Sequence, residues 1–266
     1  MLQALQTAIE QARVFDLSQP MKQGMPSFFA HVPFSFSLNI RHADLKIPGG
    51  LGMANDIIVG STHSGTHIDA VGHFSRNGCL HGGLDVRQVT TGPGGLLQHG
   101  IEQTAPILRR GVLFDVAAFK NQAALDPAYA ITAQDLQMTA KAQGVELRSG
   151  DVALIRTGWA AYWDSPPRYL SMDKGTPGPD LSGAEWLVRN GASFTGDDTF
   201  AYEFNPGDGG GAVHAFLLVD HAVQIMENLN LEALAGERIY SFLFFASPLR
   251  IVGATASPIR PIAICS

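Results

Sequence analysis

A chain of 266 residues can form one or two domains and bury a sizeable hydrophobic core, and its composition is typical of a globular protein. The net charge of −6, with Lys and Arg scattered along the chain, argues against nucleic acid as a partner. The longest apolar run, around residues 242–246, is far shorter than the roughly 20 residues of a membrane span, so no membrane partner is expected.

The first residues of the chain predict an amphipathic helix. Leu2, Leu5 and Ile9 recur at helical spacing, and the segment lacks the basic region and the apolar run of a secretory signal peptide. The two cysteines, Cys79 and Cys265, lie far apart and form no CxxC spacing, which is typical of a reducing compartment. We therefore expect a cytoplasmic protein.

Residues 63–73 read HSGTHIDAVGH, with three histidines and one aspartate, all at odd-numbered positions. In an extended strand side chains alternate faces, so all four can share one side, whereas a helix would separate them. Imidazole and carboxylate are the usual ligands of Zn²⁺, Mn²⁺ or Fe²⁺. The alternative is a set of ordinary polar loop residues, but four potential ligands in one parity class favour a metal site. They are His63, His67, Asp69 and His73.

The tightest unit in this segment is His67 with Asp69. Their Cα atoms lie about 6.6 Å apart in a strand, a workable spacing for two ligands of one ion. Ten extended steps span roughly 33 Å, so His63 and His73 can reach the same ion only if the chain turns back, which the two glycines of the segment permit. His63 and His73 are therefore candidates for ligand, bridge or base.

The middle and end of the chain predict three buried strands and two helices. The strands, at 112–116, 152–155 and 240–245, are apolar, rich in β-branched or aromatic residues, and bounded by charge or glycine. The helices, at 132–143 and 182–190, have capping residues before them and glycine after them. Those residues are Thr132, Asp135 and Gly144 for the first helix, and Ser182, Glu185 and Gly191 for the second.

The order of these elements favours a mixed α/β (α+β) fold, because strands outnumber helices but alternate with them. Neither a repeat nor a low-complexity linker interrupts the sequence, so a single domain over residues 1–266 is expected. Glycine-rich patches at 49–52, 92–95 and 207–211 predict loops. The last of them could be a mobile lid.

Two residues near the end of the chain could complete a metal site. His214 lies within an apolar stretch, where a third helix is predicted to follow it, and Glu227 lies in another. The alternatives are a hydrogen-bonded core histidine and an exposed helix glutamate. His81 and His221 are weaker candidates, and Cys79 is expected to be structural.

The string HSGTHIDAVGHF resembles the HxGTHxDxPxHF signature of the cyclase family of metal-dependent hydrolases, which includes bacterial kynurenine formamidase and isatin hydrolase. Further segments are similar to that family in the same order, so the resemblance covers nearly the full length. They are residues 15–18, 150–151 and 156–159, His214 with Glu227 and Asn228, and residues 257–260.

The resemblance implies a swivelling β/β/α fold, a homo-oligomer such as a dimer or tetramer, and one or two Zn²⁺ or Mn²⁺ ions. One departure is Val71, which stands where the signature has proline and is expected to loosen the turn after Asp69. The residues that match the metal ligands of the family are His63, His67, Asp69, His73, His214 and Glu227.

The leading hypothesis is an amidohydrolase that cleaves a non-peptide C–N bond of a small amide, cyclic or aryl, with metal-activated water. His73 is the expected general base, with His63 as the other catalytic candidate, and Asp69 could bridge two ions. A small lactone is the alternative substrate class. Candidate pocket walls are Phe28, Phe29, Trp159 and Phe204.

Three other classes were weighed against this hypothesis. An Fe(II) oxygenase could use His67, Asp69 and His214, but the position ten residues after His214 is Gln224, where 2-oxoglutarate enzymes usually place an arginine. A serine hydrolase is disfavoured because the sequence contains no GxSxG elbow. A non-catalytic metal-binding protein would leave no open position on the ion.

Overall fold

The computed structural model describes residues 10–206 and 210–265. Residues 1–9, where the amphipathic helix is predicted, therefore lie outside the described residues, as do residues 207–209 of the glycine-rich patch. The strands are β1 (Arg13–Asp16), β2 (Ser35–Ile40), β3 (Asn55–Val59), β4 (His67–Asp69), β5 (Cys79–Leu80), β6 (Leu84–Asp85), β7 (Thr90–Thr91), β8 (Gly95–Leu96), β9 (Ile107–Asp115), β10 (Ala130–Ile131), β11 (Val152–Arg156), β12 (Gly178–Pro179), β13 (Phe194–Asp197), β14 (Gln224–Glu227), β15 (Ser241–Ala246), β16 (Ala256–Pro258) and β17 (Ile262–Cys265).

The helices are mostly short, and none among the described residues is long and apolar enough to cross a membrane. The α-helices are α1 (Val86–Val89), α2 (Val116–Phe119), α3 (Ala133–Gln143), α4 (Pro166–Leu170), α5 (Leu181–Arg189), α6 (Ala212–His214) and α7 (Glu232–Gly236). Four 3₁₀ turns lie at Val71–His73, His81–Gly83, Ile101–Gln103 and Trp159–Tyr162, and a π-helix at Ala215–Asp220 continues α6.

Nine strands form one sheet, in the order β1-β17-β15-β9-β11-β13-β14-β4-β16. The four central strands, β9, β11, β13 and β14, run parallel, and the strands on both sides of them pair antiparallel. A parallel centre requires cover on both faces, and β11 is buried at every residue. The predicted mixed α/β fold is therefore confirmed.

Alternation along the central strands sends side chains into two layers of the core. Phe114 and Ile155 face a cluster completed by Leu136 of α3 and Leu187 of α5. Neighbouring residues such as Leu154 face the opposite cluster, which contains Phe244. Each of these side chains is at most 2% exposed, and burying one stabilises the fold by about 1.5–3 kcal/mol.

The three predicted strands are present as β9, β11 and β15. The prediction placed the first of them too late, because β9 already begins at Ile107 and includes Arg109 and Arg110. In the sequence, charges of this kind predict the boundary of a buried strand. Both arginines instead lie where β9 pairs with β15, and the Arg110 side chain reaches out to Asp151.

The first predicted helix is present as α3, and its ends are as predicted. Thr132 is the N-cap and forms a capping box with Asp135, and Gly144 follows the helix in the left-handed conformation. The helix predicted from His214 onward begins earlier, at Ala212, so His214 lies inside the helical segment.

The capping box predicted for the second helix is wrong. α5 begins at Leu181, and the Asp180 carboxylate accepts a hydrogen bond of 2.8 Å from the Gly183 amide. Ser182 donates its hydroxyl proton to the same carboxylate, at 2.6 Å. A charged oxygen at the N-cap interacts more strongly with the helix N-terminus than a hydroxyl does, which explains the earlier start.

Candidate metal centre

The short strand β4 places two metal-capable side chains on one side of the sheet. His67 and Asp69 alternate with the buried Ile68, and both are 1% exposed. In the register with β14, His67 lies opposite Glu227, and the two side chains approach within 3.3 Å. Sheet pairing therefore adds a distant carboxylate to the predicted pair.

His63 reaches the same point from a turn rather than from the strand. The chain turns back at Gly65, where φ is 64°, and the His63 Nδ1 atom lies 2.9 Å from Asp69 Oδ1. Its other ring nitrogen lies 2.9 Å from the Thr255 hydroxyl. Residues 63–73 therefore do not form one extended strand. The chain instead makes the fold-back that His63 requires.

His214 arrives from the helical segment on the other side of Asp69. Its Nε2 atom lies 3.2 Å from Glu227 Oε1 and 3.8 Å from Asp69 Oδ2. The donor atoms thus form two groups, one of His63, His67 and Asp69 and one of Asp69, His214 and Glu227, each with all atoms within 4.8 Å of one another. Asp69 is the residue that both groups share.

The donor set fits a divalent ion. His67 Nε2 and both carboxylate oxygens of Asp69 are buried among the described residues without a hydrogen bond of acceptable geometry. Buried polar atoms left in this way are costly, and an ion on these atoms would account for them. Imidazole nitrogen and carboxylate oxygen together suit Zn²⁺ or Mn²⁺.

Hydrogen bonds behind the ligands fix how His67 is presented. The His67 Nδ1 atom donates to the Gly65 carbonyl at 2.8 Å, which leaves Nε2 for the ion. The Asn228 amide donates to the same carbonyl at 3.0 Å, and Tyr169 in turn donates to the Asn228 side-chain oxygen at 2.9 Å. These contacts give Asn228, which the family resemblance included, a supporting role.

The electrostatics of the cluster keep its carboxylates charged. Burial would raise the pKa of Asp69, but His73 and His63 outweigh it and hold that pKa well below its usual range. Burial would likewise lower the pKa of His214, yet Glu203 and Glu227 raise it to about 10. The carboxylates therefore hold negative charge where a cation would bind, and a cation at His214 would replace a proton.

His73 lies beside the two groups but belongs to neither. Its ring centre is 4.2 Å from that of His63 and 6.3 Å from that of His214. Burial lowers the pKa of His73 to about 4, and Asp69 only partly opposes the shift. A neutral imidazole next to, rather than within, the ligand set favours the base over the ligand role.

The turn that carries His73 forms without the signature proline. The His73 amide donates to the Ala70 carbonyl at 2.9 Å, and the Gly72 amide donates to the His99 carbonyl at 3.0 Å. A Cβ at Gly72 would lie 2.7 Å from Leu96 Cδ1, so glycine is required there. Val71 itself lines a separate cavity of about 310 Å³.

A cavity of about 520 Å³ opens onto the cluster at His63, His73, His214 and Glu227. Its walls include the predicted Phe28 and Phe29. Four further residues line the cavity, and the sequence does not predict them as walls. Phe74 ends the histidine motif, whereas nothing in the local sequence distinguishes Phe200, His31 and Glu203.

Two predicted walls are wrong. Trp159 is only 3% exposed and donates its indole proton to the Tyr169 carbonyl, on the side of another cavity. Phe204 does not line the cavity over the cluster, and its backbone pairs with the Pro179 carbonyl. Both predictions depended on residue type alone, which does not indicate the direction in which a side chain points.

The weaker candidates lie outside the two donor groups. The His81 ring donates to the Val219 carbonyl at 2.7 Å, and the His221 ring packs against Phe216 at 4.5 Å. Cys79 is a free thiol. These contacts agree with the structural roles expected for them.

The chain is similar in sequence to described families and proteins. A family model described as "Putative cyclase" matches residues 15–203. Isatin hydrolase of Roseibium aggregatum is 26% identical over 210 residues, which span 76% of this chain and 71% of that protein.

Solved structures match nearly the whole chain. One described as a novel cyclase is 28% identical, has a TM-score of 0.86, and is matched over 99% of this chain and 93% of its own. Isatin hydrolase A from Ralstonia solanacearum shares the fold with a TM-score of 0.79 and 22% identity, over 100% of this chain and 97% of its own.

Proposed function

Because the chain belongs to the family described as "Putative cyclase", we propose that it is a metal-dependent hydrolase that cleaves a C–N bond of a small amide, cyclic or aryl. Similarity to an isatin hydrolase supports the hydrolase class. The observation that carries the proposal is the buried ligand cluster, centred on Asp69, at the floor of a cavity with aromatic walls. Such a cavity suits a planar substrate.

The ion, Zn²⁺ or Mn²⁺, would be held by His63, His67 and Asp69, and a second by Asp69 with His214 and Glu227. When bound, a divalent ion polarises a carbonyl oxygen and lowers the pKa of water.

The chain itself supplies the base and the binding surface. His73 is neutral above about pH 4, so a ring nitrogen can accept the proton that leaves the attacking water. The water oxygen adds to the carbonyl carbon and forms the new C–O bond. The C–N bond then breaks as the carbonyl re-forms, and His73 returns the proton to the departing nitrogen. Phe28, Phe74 and Phe200 exclude bulk water and pack against the substrate ring.

The test is hydrolysis of formylkynurenine, isatin and a small lactone before and after chelation, followed by addition of Zn²⁺ or Mn²⁺. Amide hydrolysis should disappear with the metal and return with it, and Asp69→Asn should lose both metal and rate. Asp173→Asn, an exposed matched change, should keep both. Full activity in metal-free protein would rule the proposal out, and a reaction with the lactone alone would redirect it to C–O bonds.

We also propose a homo-oligomer, a dimer or tetramer, and a cytoplasmic location. The exposed apolar surface of the β2–β3 hairpin supports the first. The free thiols of Cys79 and Cys265 support the second.

A further inference from the structure

One buried carboxylate near the cluster is not among the residues that match the family's ligands. Glu203 lies between β13 and α6 and is 4% exposed. Its Oε1 atom is 2.6 Å from His214 Nδ1 and 2.6 Å from the Gly211 amide, and its Oε2 atom is 2.9 Å from the Val213 amide. Three donors thus converge on one side chain that has no distinguishing motif around it.

These contacts decide which nitrogen His214 presents to the cluster. When Nε2 binds an ion it carries no proton, so the one remaining ring proton lies on Nδ1 and points at Glu203, and the lone pair of Nε2 points toward Asp69 and Glu227. The ring plane is set by Phe74, which stacks on it at 4.8 Å. Packing therefore fixes the plane of the ring, and Glu203 fixes its tautomer.

The backbone around Glu203 is shaped to close on it. Gly211 has φ of 113°, and a Cβ there would lie 2.9 Å from Phe74. A Cβ at Gly210 would lie 3.1 Å from the Glu203 carboxyl carbon. A side chain at either position would be crowded, and with glycine the backbone can pass close to Glu203. The amides of Gly211 and Val213 therefore reach the carboxylate directly.

We infer that Glu203 is a positioning residue, which orients His214 for metal binding and ties the end of the glycine-rich segment to the cluster. The inference rests on the proposed metal-dependent function. Glu203 acts through His214 and is not a ligand, because both of its oxygens already accept hydrogen bonds and it belongs to neither donor group. Removing a carboxylate that is hydrogen-bonded to a metal-binding histidine typically lowers metal affinity or activity by about 10–100-fold.

The first test is a titration of the metal-free full-length protein with Mn²⁺ alone. Glu203→Ala should weaken Mn²⁺ binding by about 10–100-fold. Glu203→Gln should weaken it less, because glutamine keeps one of the two acceptor oxygens, although without the negative charge. Glu185→Gln is the matched control, since Glu185 pairs with Arg189 on the surface of α5, and it should bind as the wild type does. Unchanged affinity in folded Glu203→Ala and Glu203→Gln would overturn the inference.

The second test observes the tautomer in the wild type and uses a variant only to assign the signal. In protein with ¹⁵N-labelled histidine, His214 should carry its proton on Nδ1 when metal-free protein is loaded with diamagnetic Zn²⁺, and His214→Gln assigns the signal. A proton on Nε2 would overturn the inference. If the wild type binds Mn²⁺ and Zn²⁺ but hydrolyses none of the amides, the proposed reaction fails while the role of Glu203 stands.

Discussion

At the scale of single residues, one aspartate organises the chemistry. Asp69 is shared by both donor groups, and the pKa of its carboxyl lies well below the usual range, lowered by His73 and His63, despite complete burial. The Asp69 backbone is held as well, because the Gln224 side chain donates to its carbonyl at 2.7 Å. This hydrogen bond occupies the Gln224 side chain. Gln224 therefore does not supply the cosubstrate anchor that a 2-oxoglutarate oxygenase requires.

The base role of His73 makes a prediction at this scale. His73→Gln should lower kcat by about 10²–10⁴-fold while the protein keeps its metal, because a glutamine can occupy the position but cannot accept the proton. In the wild type, a neutral base is needed, so the rate should fall as the pH drops through about 4. Steady-state kinetics with metal analysis of each sample measure both effects.

His42→Gln is the control, because His42 is exposed and away from the cluster. If His73→Gln lost metal and rate together, His73 would be a ligand instead.

At the scale of elements, the site is assembled by pairing rather than by one motif. β4 lies between β14 and β16, so the strand that carries His67 and Asp69 meets the strand that ends in Glu227. The turn at Val71–His73 then brings His73 back beside the cluster, at a place where Gly72 leaves no room for a side chain.

Gly72→Ala should therefore disturb this turn. The added methyl group would meet Leu96 Cδ1 at 2.7 Å and the His99 carbonyl at 3.0 Å, so the protein should lose about 1–3 kcal/mol of stability. Activity should fall more than metal content, because the turn carries the base and not the ligands. Urea unfolding, kinetics and metal analysis report the three quantities.

Gly236→Ala provides the comparison, since a Cβ there meets nothing within 4 Å and the φ angle is not positive. Equal losses in both variants would show that the crowding at Gly72 is unimportant.

At the scale of the whole molecule, the β2–β3 hairpin stands apart from the main sheet. All residues of β3 are exposed, and Phe36 lies opposite Ile58 with exposures of 40% and 62%. An isolated two-stranded hairpin is marginally stable in water, so this hairpin would be stabilised if another protein surface buried its apolar side chains. A second copy of the chain would supply such a surface.

Light scattering should accordingly give at least a dimer for the wild type at micromolar concentration. Ile58→Glu should shift the mass toward the monomer, because a charge would be buried in the interface. Val252→Glu places the same charge at a residue that is 80% exposed outside the hairpin, and should leave the mass unchanged. A monomeric wild type would contradict the proposed oligomer.

The family resemblance and the mixed α/β fold are confirmed, and both could be read from local sequence. The metal motif, the strand segments and the capping box of α3 each depend on residues close together in the chain. The single-domain prediction and the roles of the ligands stay predictions, although all six candidate residues lie together around Asp69.

How distant residues meet depends on the tertiary structure. Spacing alone left His63 and His73 with three possible roles each, and the fold-back at Gly65 and the turn at Gly72 show where each ring lies. Glu203 and His31 carry no local signal, because their neighbours in sequence are not their neighbours at the site. Composition and periodicity determine which segments of the chain are buried. Strand pairing and chain reversals determine which polar side chains meet at the buried site.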